Sequence, residues 1–136
     1  MSVGLVIVTH GESGADLRAE AEFILGESLE ALRAVPFNHS AGQREEIYQI
    51  HSAIAAADSG DGVLVLTDMF GSTPANIANG LKSDSGLQVL AGVNLSMLVR
   101  VLNYPALPLP DMAEKALSGG RDGVLICPIR GEDRDT

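Results

Sequence analysis

The sequence predicts an α/β fold: one open, doubly wound and mostly parallel sheet in the order 2-1-3-4, flanked by helices. Three observations predict it. Short apolar, β-branched runs alternate with longer segments whose apolar residues recur every three or four positions, the signature of strands crossing over through helices. The runs lack strict polar alternation, as strands covered on both faces do. The 136 residues are 46% hydrophobic with only two Tyr, three Phe and no Trp, so the core is built from aliphatic side chains packed between layers.

Val3 to Thr9 is the first strand, ending at His10-Gly11. From Ser13 onward, Leu17, Ala21, Ile24, Leu25 and Leu29 form the stripe of an amphipathic helix. Leu32 to Phe37 is a weaker strand, placed at a sheet edge because of Pro36. Ser40 and Gln43 have the spacing of a capping box, and Ile47, Ile50, Ile54 and Ala57 mark one face of the helix that follows. Ser59 to Gly62 breaks that helix, and Val63 to Thr67 is a fully apolar strand closed by Asp68.

Thr73 is expected to cap a helix whose first residue is Pro74, where the missing N–H costs nothing. Gly80 to Gly86 punctuates the chain, Leu87 to Gly92 is a fourth strand, and Asn94 caps a helix containing Leu95, Leu98, Val99 and Leu102. Pro105 to Pro110 reads as an extended connection. A short helix from Pro110 to Leu117 stops at Gly119-Gly120, and Gly123 to Ile129 is expected as a last strand. One domain, 1–130, is followed by a polar tail, 131–136, with no repeat or linker.

Eighteen acidic against nine basic residues give a formal charge of −9, which disfavours nucleic acid and anionic membrane surfaces as partners. The single cysteine, Cys127, excludes an internal disulfide and lies in an apolar run where a buried side chain is expected. The opening lacks the basic start of a signal peptide, and no apolar run is long enough to insert in a membrane, so the expected location is the cytoplasm.

Sites in open α/β sheets form beyond the carboxyl ends of the strands, where the strand order reverses. In the order 2-1-3-4 that point lies between the first and third strands, which end in His10 and Asp68. A carboxylate accepting a hydrogen bond from one imidazole nitrogen fixes the tautomer and leaves the other nitrogen nucleophilic. The surroundings suit a phosphoryl group: Gly11 leads into one helix N-terminus and Gly71-Ser72-Thr73 into another, with Thr9, Ser72 and Thr73 as hydroxyl donors. His39 and His51 are read as structural, and the three histidines lack metal-ligand spacing, so neither a metal nor an organic cofactor is expected. Met69 and Phe70 offer an apolar rim beside the site. There is no Gly-rich dinucleotide or nucleoside-triphosphate loop.

These residues resemble the mannose-family IIA proteins of the bacterial phosphotransferase system. The likeness rests on Thr9-His10-Gly11, the loop from Leu66 to Asn76 that contains Asp68-Met69-Phe70-Gly71-Ser72-Thr73-Pro74, the stretch Ala91 to Leu98, and Gly120 to Val124. The resemblance implies that His10 accepts a phosphoryl group from the carrier HPr and passes it to a separate IIB protein in sugar uptake. It makes Asp68 the carboxylate that orients the histidine, and Thr73 the hydroxyl residue ahead of the loop proline. It also implies a homodimer in which the last, antiparallel edge strand is exchanged. Two other roles fit the same histidine: a regulatory protein whose phosphorylation state selects its partner, or the phosphotransfer subunit of a dihydroxyacetone kinase. The family often places two glycines after the loop aromatic, whereas this chain has Phe70, Gly71 and Ser72.

Overall fold

A computed structural model of the chain describes residues 2–29, 31–38, 42–80 and 85–129. Four parallel strands, β1 (Gly4–His10), β2 (Arg33–Phe37), β3 (Val63–Thr67) and β4 (Leu87–Ala91), form a sheet in the order β2-β1-β3-β4. Five helices cover it: α1 (Ser13–Leu25), α2 (Gln43–Ala57), α3 (Thr73–Asn79), α4 (Leu95–Leu102) and α5 (Leu109–Asp122). The expected architecture and strand order are therefore present.

Side chains alternate across a strand, and each face of the sheet has its own core. Ile7, Leu64 and Leu66 pack with Ala21, Leu98, Val101, Met112 and Ala116 of α1, α4 and α5. Val6, Val8, Val35, Val63 and Val65 pack with Ile50 and Ile54 of α2 and Ala78 of α3. All five residues of β3 are buried, which explains its unbroken apolar run. Each fully buried Leu or Ile contributes about 1.5–3 kcal/mol relative to exposure.

The helix boundaries differ from the sequence reading in instructive ways. Gly26 adopts a left-handed conformation (φ 72°) and its N–H returns to Glu22 O, ending α1 before Leu29, which still packs against the core from the loop. In α2 the inner stripe is Glu46, Ile50 and Ile54, while Ile47 is partly exposed. The proposed cap Ser40 lies outside the described residues. α3 begins at Thr73, so Ser72 rather than Thr73 is the N-cap and Pro74 occupies the second helical position. The expectation for Asn94 is met: its Oδ1 accepts the Met97 N–H at 2.9 Å, a contact of the kind that contributes about 1 kcal/mol.

The largest correction is at the C-terminal end. α5 runs on through Gly119-Gly120 to Asp122, because these glycines are where it presses against α4. A Cβ on Gly119 would overlap the Arg100 side chain, and one on Gly120 would lie 2.7 Å from Met97 Cε. Helix propensity favours stopping there, and close helix packing overrides it. Gly119→Ala is expected to cost about 1–3 kcal/mol by overpacking, read as a lowered midpoint in urea with an unchanged slope. Residues Gly123 to Ile129, expected as a strand, pair with no strand among the described residues. Val124, Leu125, Ile126 and Ile129 are exposed, and so is Cys127, which is not the buried side chain expected.

Candidate functional site

The order β2-β1-β3-β4 reverses between β1 and β3, and their carboxyl ends bring His10 and Asp68 together across 58 positions of sequence. One carboxylate oxygen of Asp68, Oδ2, accepts the backbone N–H of His10 at 3.0 Å. The same carboxylate faces the His10 ring, with Nδ1 3.0 Å from Oδ2 and 3.2 Å from Oδ1. Asp68 thus grips both the main chain and the ring of one residue. The tautomer that pairs Nδ1–H with the carboxylate leaves Nε2, on the opposite side of the ring, with the lone pair.

Burial and the contacts with His10 act in opposite directions on the Asp68 pKa. Burial alone would raise it, but the His10 N–H, the ring hydrogen bond and the charge of the imidazolium outweigh burial and hold it below the ordinary 3.8. Phe37 of β2 also meets the imidazole edge-on, with ring centroids 5.8 Å apart. The Phe37 carbonyl accepts the Gly11 N–H at 3.0 Å, and Gly11 takes a positive φ of 56° to turn the chain toward α1.

The remaining expected site residues fall into distinct places. Thr9 is fully buried, and its hydroxyl oxygen accepts the Gly14 N–H at 2.7 Å. Its side chain therefore supports the β1–α1 turn from inside and does not reach a surface phosphoryl group. The Gly11 N–H is likewise spent on Phe37. In the loop from Asp68 to Thr73, positive φ is needed only at Gly71 (φ 80°), and Ser72 sits at an ordinary −81°. The second glycine of the wider family is therefore dispensable here. The Ser72 hydroxyl donates to Met69 O at 2.6 Å and closes the turn. Thr73 is exposed on the first turn of α3. Met69 and Phe70 project from the loop, 59% and 86% exposed.

Sequence reasoning passes over two residues that shape the site, Phe37 and Glu46. Glu46 is buried on the inner stripe of α2, and its Oε1 accepts the Asn38 N–H at 3.1 Å. Its i, i+4 relation to Ile50 is the one signal in the sequence. No group of three or more His, Cys, Asp or Glu placed to hold a metal ion occurs among the described residues. No described helix is long and apolar enough to cross a membrane.

Residues 4–108 match the family model EIIA-man, described as the fructose IIA component of the phosphotransferase system (PTS). The chain belongs to this mannose-type IIA family of the phosphotransferase system. Among its relatives, the mannose-specific EIIAB component of Escherichia coli K12 is 33% identical over 129 residues, 91% of this chain and 39% of that protein. The chain thus spans about two fifths of that relative's length. The fructose-specific EIIA component of Bacillus subtilis 168 is 30% identical over 127 residues, covering 92% of this chain and 86% of that one. In fold, the mannose/sorbose-specific IIA subunit from Enterococcus faecalis superposes with a TM-score of 0.85 at 22% identity, over 97% of this chain and 99% of that chain.

Proposed function

We propose that His10 is the phosphoryl acceptor of this IIA component, receiving the group from phospho-HPr and passing it to IIB. The observation that carries this reading is the double grip of Asp68 on His10, which presents Nε2 as the nucleophile. In the first transfer, the P–N bond of the donor phosphohistidine breaks as a P–Nε2 bond forms. The electron pair of the broken bond stays on the donor ring. Asp68 stabilises the positive charge that His10 gains at its ring as Nε2 is modified. The second transfer is the reverse step toward IIB. Neither step calls on a metal or an organic cofactor.

The exposed Thr73 hydroxyl and the loop from Gly71 are the groups proposed to meet the phosphate oxygens, as the family likeness of this loop implies. The Met69–Phe70 rim is the apolar contact for both protein partners, in turn, beside the reactive ring. Partners that are proteins of the sugar-uptake relay, and the cytoplasmic location that goes with them, follow from the same reading. Incubation with radiolabelled phosphoenolpyruvate, enzyme I and HPr should give an acid-labile phosphohistidine, which a IIB protein then removes. Failure to take label from phospho-HPr overturns the proposal.

A homodimer is part of the same reading. Among the described residues β4 is an edge strand, and the exposed apolar stretch Val124 to Ile129 pairs with no strand. Adding this stretch to the β4 edge of a second copy would bury both features. Sedimentation equilibrium should give twice the mass of one chain, and a chain shortened after Gly123 should sediment as a monomer. A full-length monomer at micromolar concentration overturns the exchange.

A further inference from the structure

Glu46 occupies a position where the helix pattern calls for an apolar side chain. It lies one turn before Ile50 and two before Ile54, and it is 2% exposed. Its carboxylate is only half satisfied: Oε1 accepts the Asn38 N–H, while the buried Oε2 has no hydrogen-bond partner among the described residues. A buried, incompletely paired carboxylate costs stability, and an apolar side chain of similar volume in its place is often neutral or stabilising. Packing alone therefore does not account for an acid here.

The hydrogen bond to Asn38 points to what it does. Asn38 directly follows Phe37, which brackets the reactive histidine twice, through the edge-on ring contact with His10 and through the carbonyl that holds Gly11. Asp68 fixes His10 from the β3 side at Nδ1, and a ring held along one edge can still tilt about that contact. Phe37 packs edge-on against the ring from β2, where it is 7% exposed. Besides its pairing with β1, the end of β2 is tied to α2, where Glu46 Oε1 accepts the N–H of the next residue, Asn38.

We propose that Glu46 is a positioning residue for His10, acting through Asn38 and the Phe37 ring. The inference rests on His10 being the reactive residue, and its test separates the two ideas. The readout is the pair of imidazole ¹⁵N signals of His10, which report tautomer and ring order without any phosphoryl transfer. Glu46→Met removes the hydrogen bond and keeps the buried volume. It is expected to leave the melting temperature equal or higher while moving the His10 signals toward those of a tautomer mixture, and to slow labelling about tenfold, as for other residues that orient a reactive group from behind. Glu46→Gln keeps an acceptor for the Asn38 N–H and should restore both signals and rate.

Phe37→Leu, with Glu46 intact, should reproduce the signal change, which keeps the idea testable even where Glu46→Met folds poorly. Wild-type His10 signals in Phe37→Leu, or in a folded Glu46→Met, overturn the proposal. So does a Glu46→Gln variant as deficient as Glu46→Met. A wild-type protein that takes no label would sink the phosphocarrier reading alone, since the ring signals still decide the role of Glu46.

Discussion

His10→Ala is expected to take no label from phospho-HPr and to remain folded. The loss is expected to be complete, because the acceptor atom itself is removed and no neighbouring group can replace it with the same geometry. Asp68, its nearest ionisable partner, would form a mixed anhydride of a different lability, and Thr9 is sealed beneath the β1–α1 turn. Stability should change little. The His10 side chain is 35% exposed and the Asp68 side chain 26%, so water can take over the ring's hydrogen bond to the carboxylate. The backbone N–H at position 10 survives the substitution and can keep its bond to Asp68. The check is parallel: acid-labile label by gel autoradiography, and thermal melting by circular dichroism. Label retained in His10→Ala would move the acceptor elsewhere in the chain.

The His10–Asp68 pair is legible in the sequence because topology alone makes it. An apolar run that ends in His-Gly and another that ends in Asp identify two strand ends, and the switch-point rule makes them neighbours. The contact needs only strand order, which depends on the pattern of whole elements and not on local detail. The parts that are not legible depend on packing between elements distant in sequence. α5 passes through Gly119-Gly120 because α4 lies against them, and no local signal reports that contact. Glu46 reads as a solvated charge unless the stripe of α2 is set one residue earlier, at 46, 50 and 54 instead of 47, 50 and 54. The hydroxyl of Thr9 reads as a free donor in the sequence, yet the β1–α1 turn folds over it and uses it as an acceptor. The stretch after Asp122 has the composition of a strand but finds no strand partner among the described residues, so composition alone does not place it.

The Asp68 carboxylate is expected to matter through tautomer choice more than through charge alone, and Asp68→Asn separates the two. Asparagine is nearly isosteric. Its Oδ1 can still accept the His10 backbone N–H, as Oδ2 of the aspartate does at 3.0 Å, which leaves the amide Nδ2–H facing the ring. That group donates to Nδ1, so the ring proton is driven to Nε2 and the nucleophilic lone pair is lost from the side that must attack. Asp68→Ala removes the bias without reversing it. Both variants should lower the rate of phosphoryl acceptance by about 10–100-fold, the range for groups that orient a reactive imidazole, and Asp68→Asn should be at least as impaired as Asp68→Ala. Acid stability supplies an independent measure. A carboxyl group whose pKa is depressed in the folded state adds stability above its ordinary value of 3.8 and loses it as pH falls through the lower folded value. The melting temperature of wild type should therefore exceed that of Asp68→Asn at neutral pH, and the gap should close below about pH 4 as the carboxylate is protonated. A gap that persists undiminished in acid would mean that the contact stabilises the fold by shape, and an Asp68→Asn variant that accepts label at the wild-type rate would remove the carboxylate from the mechanism.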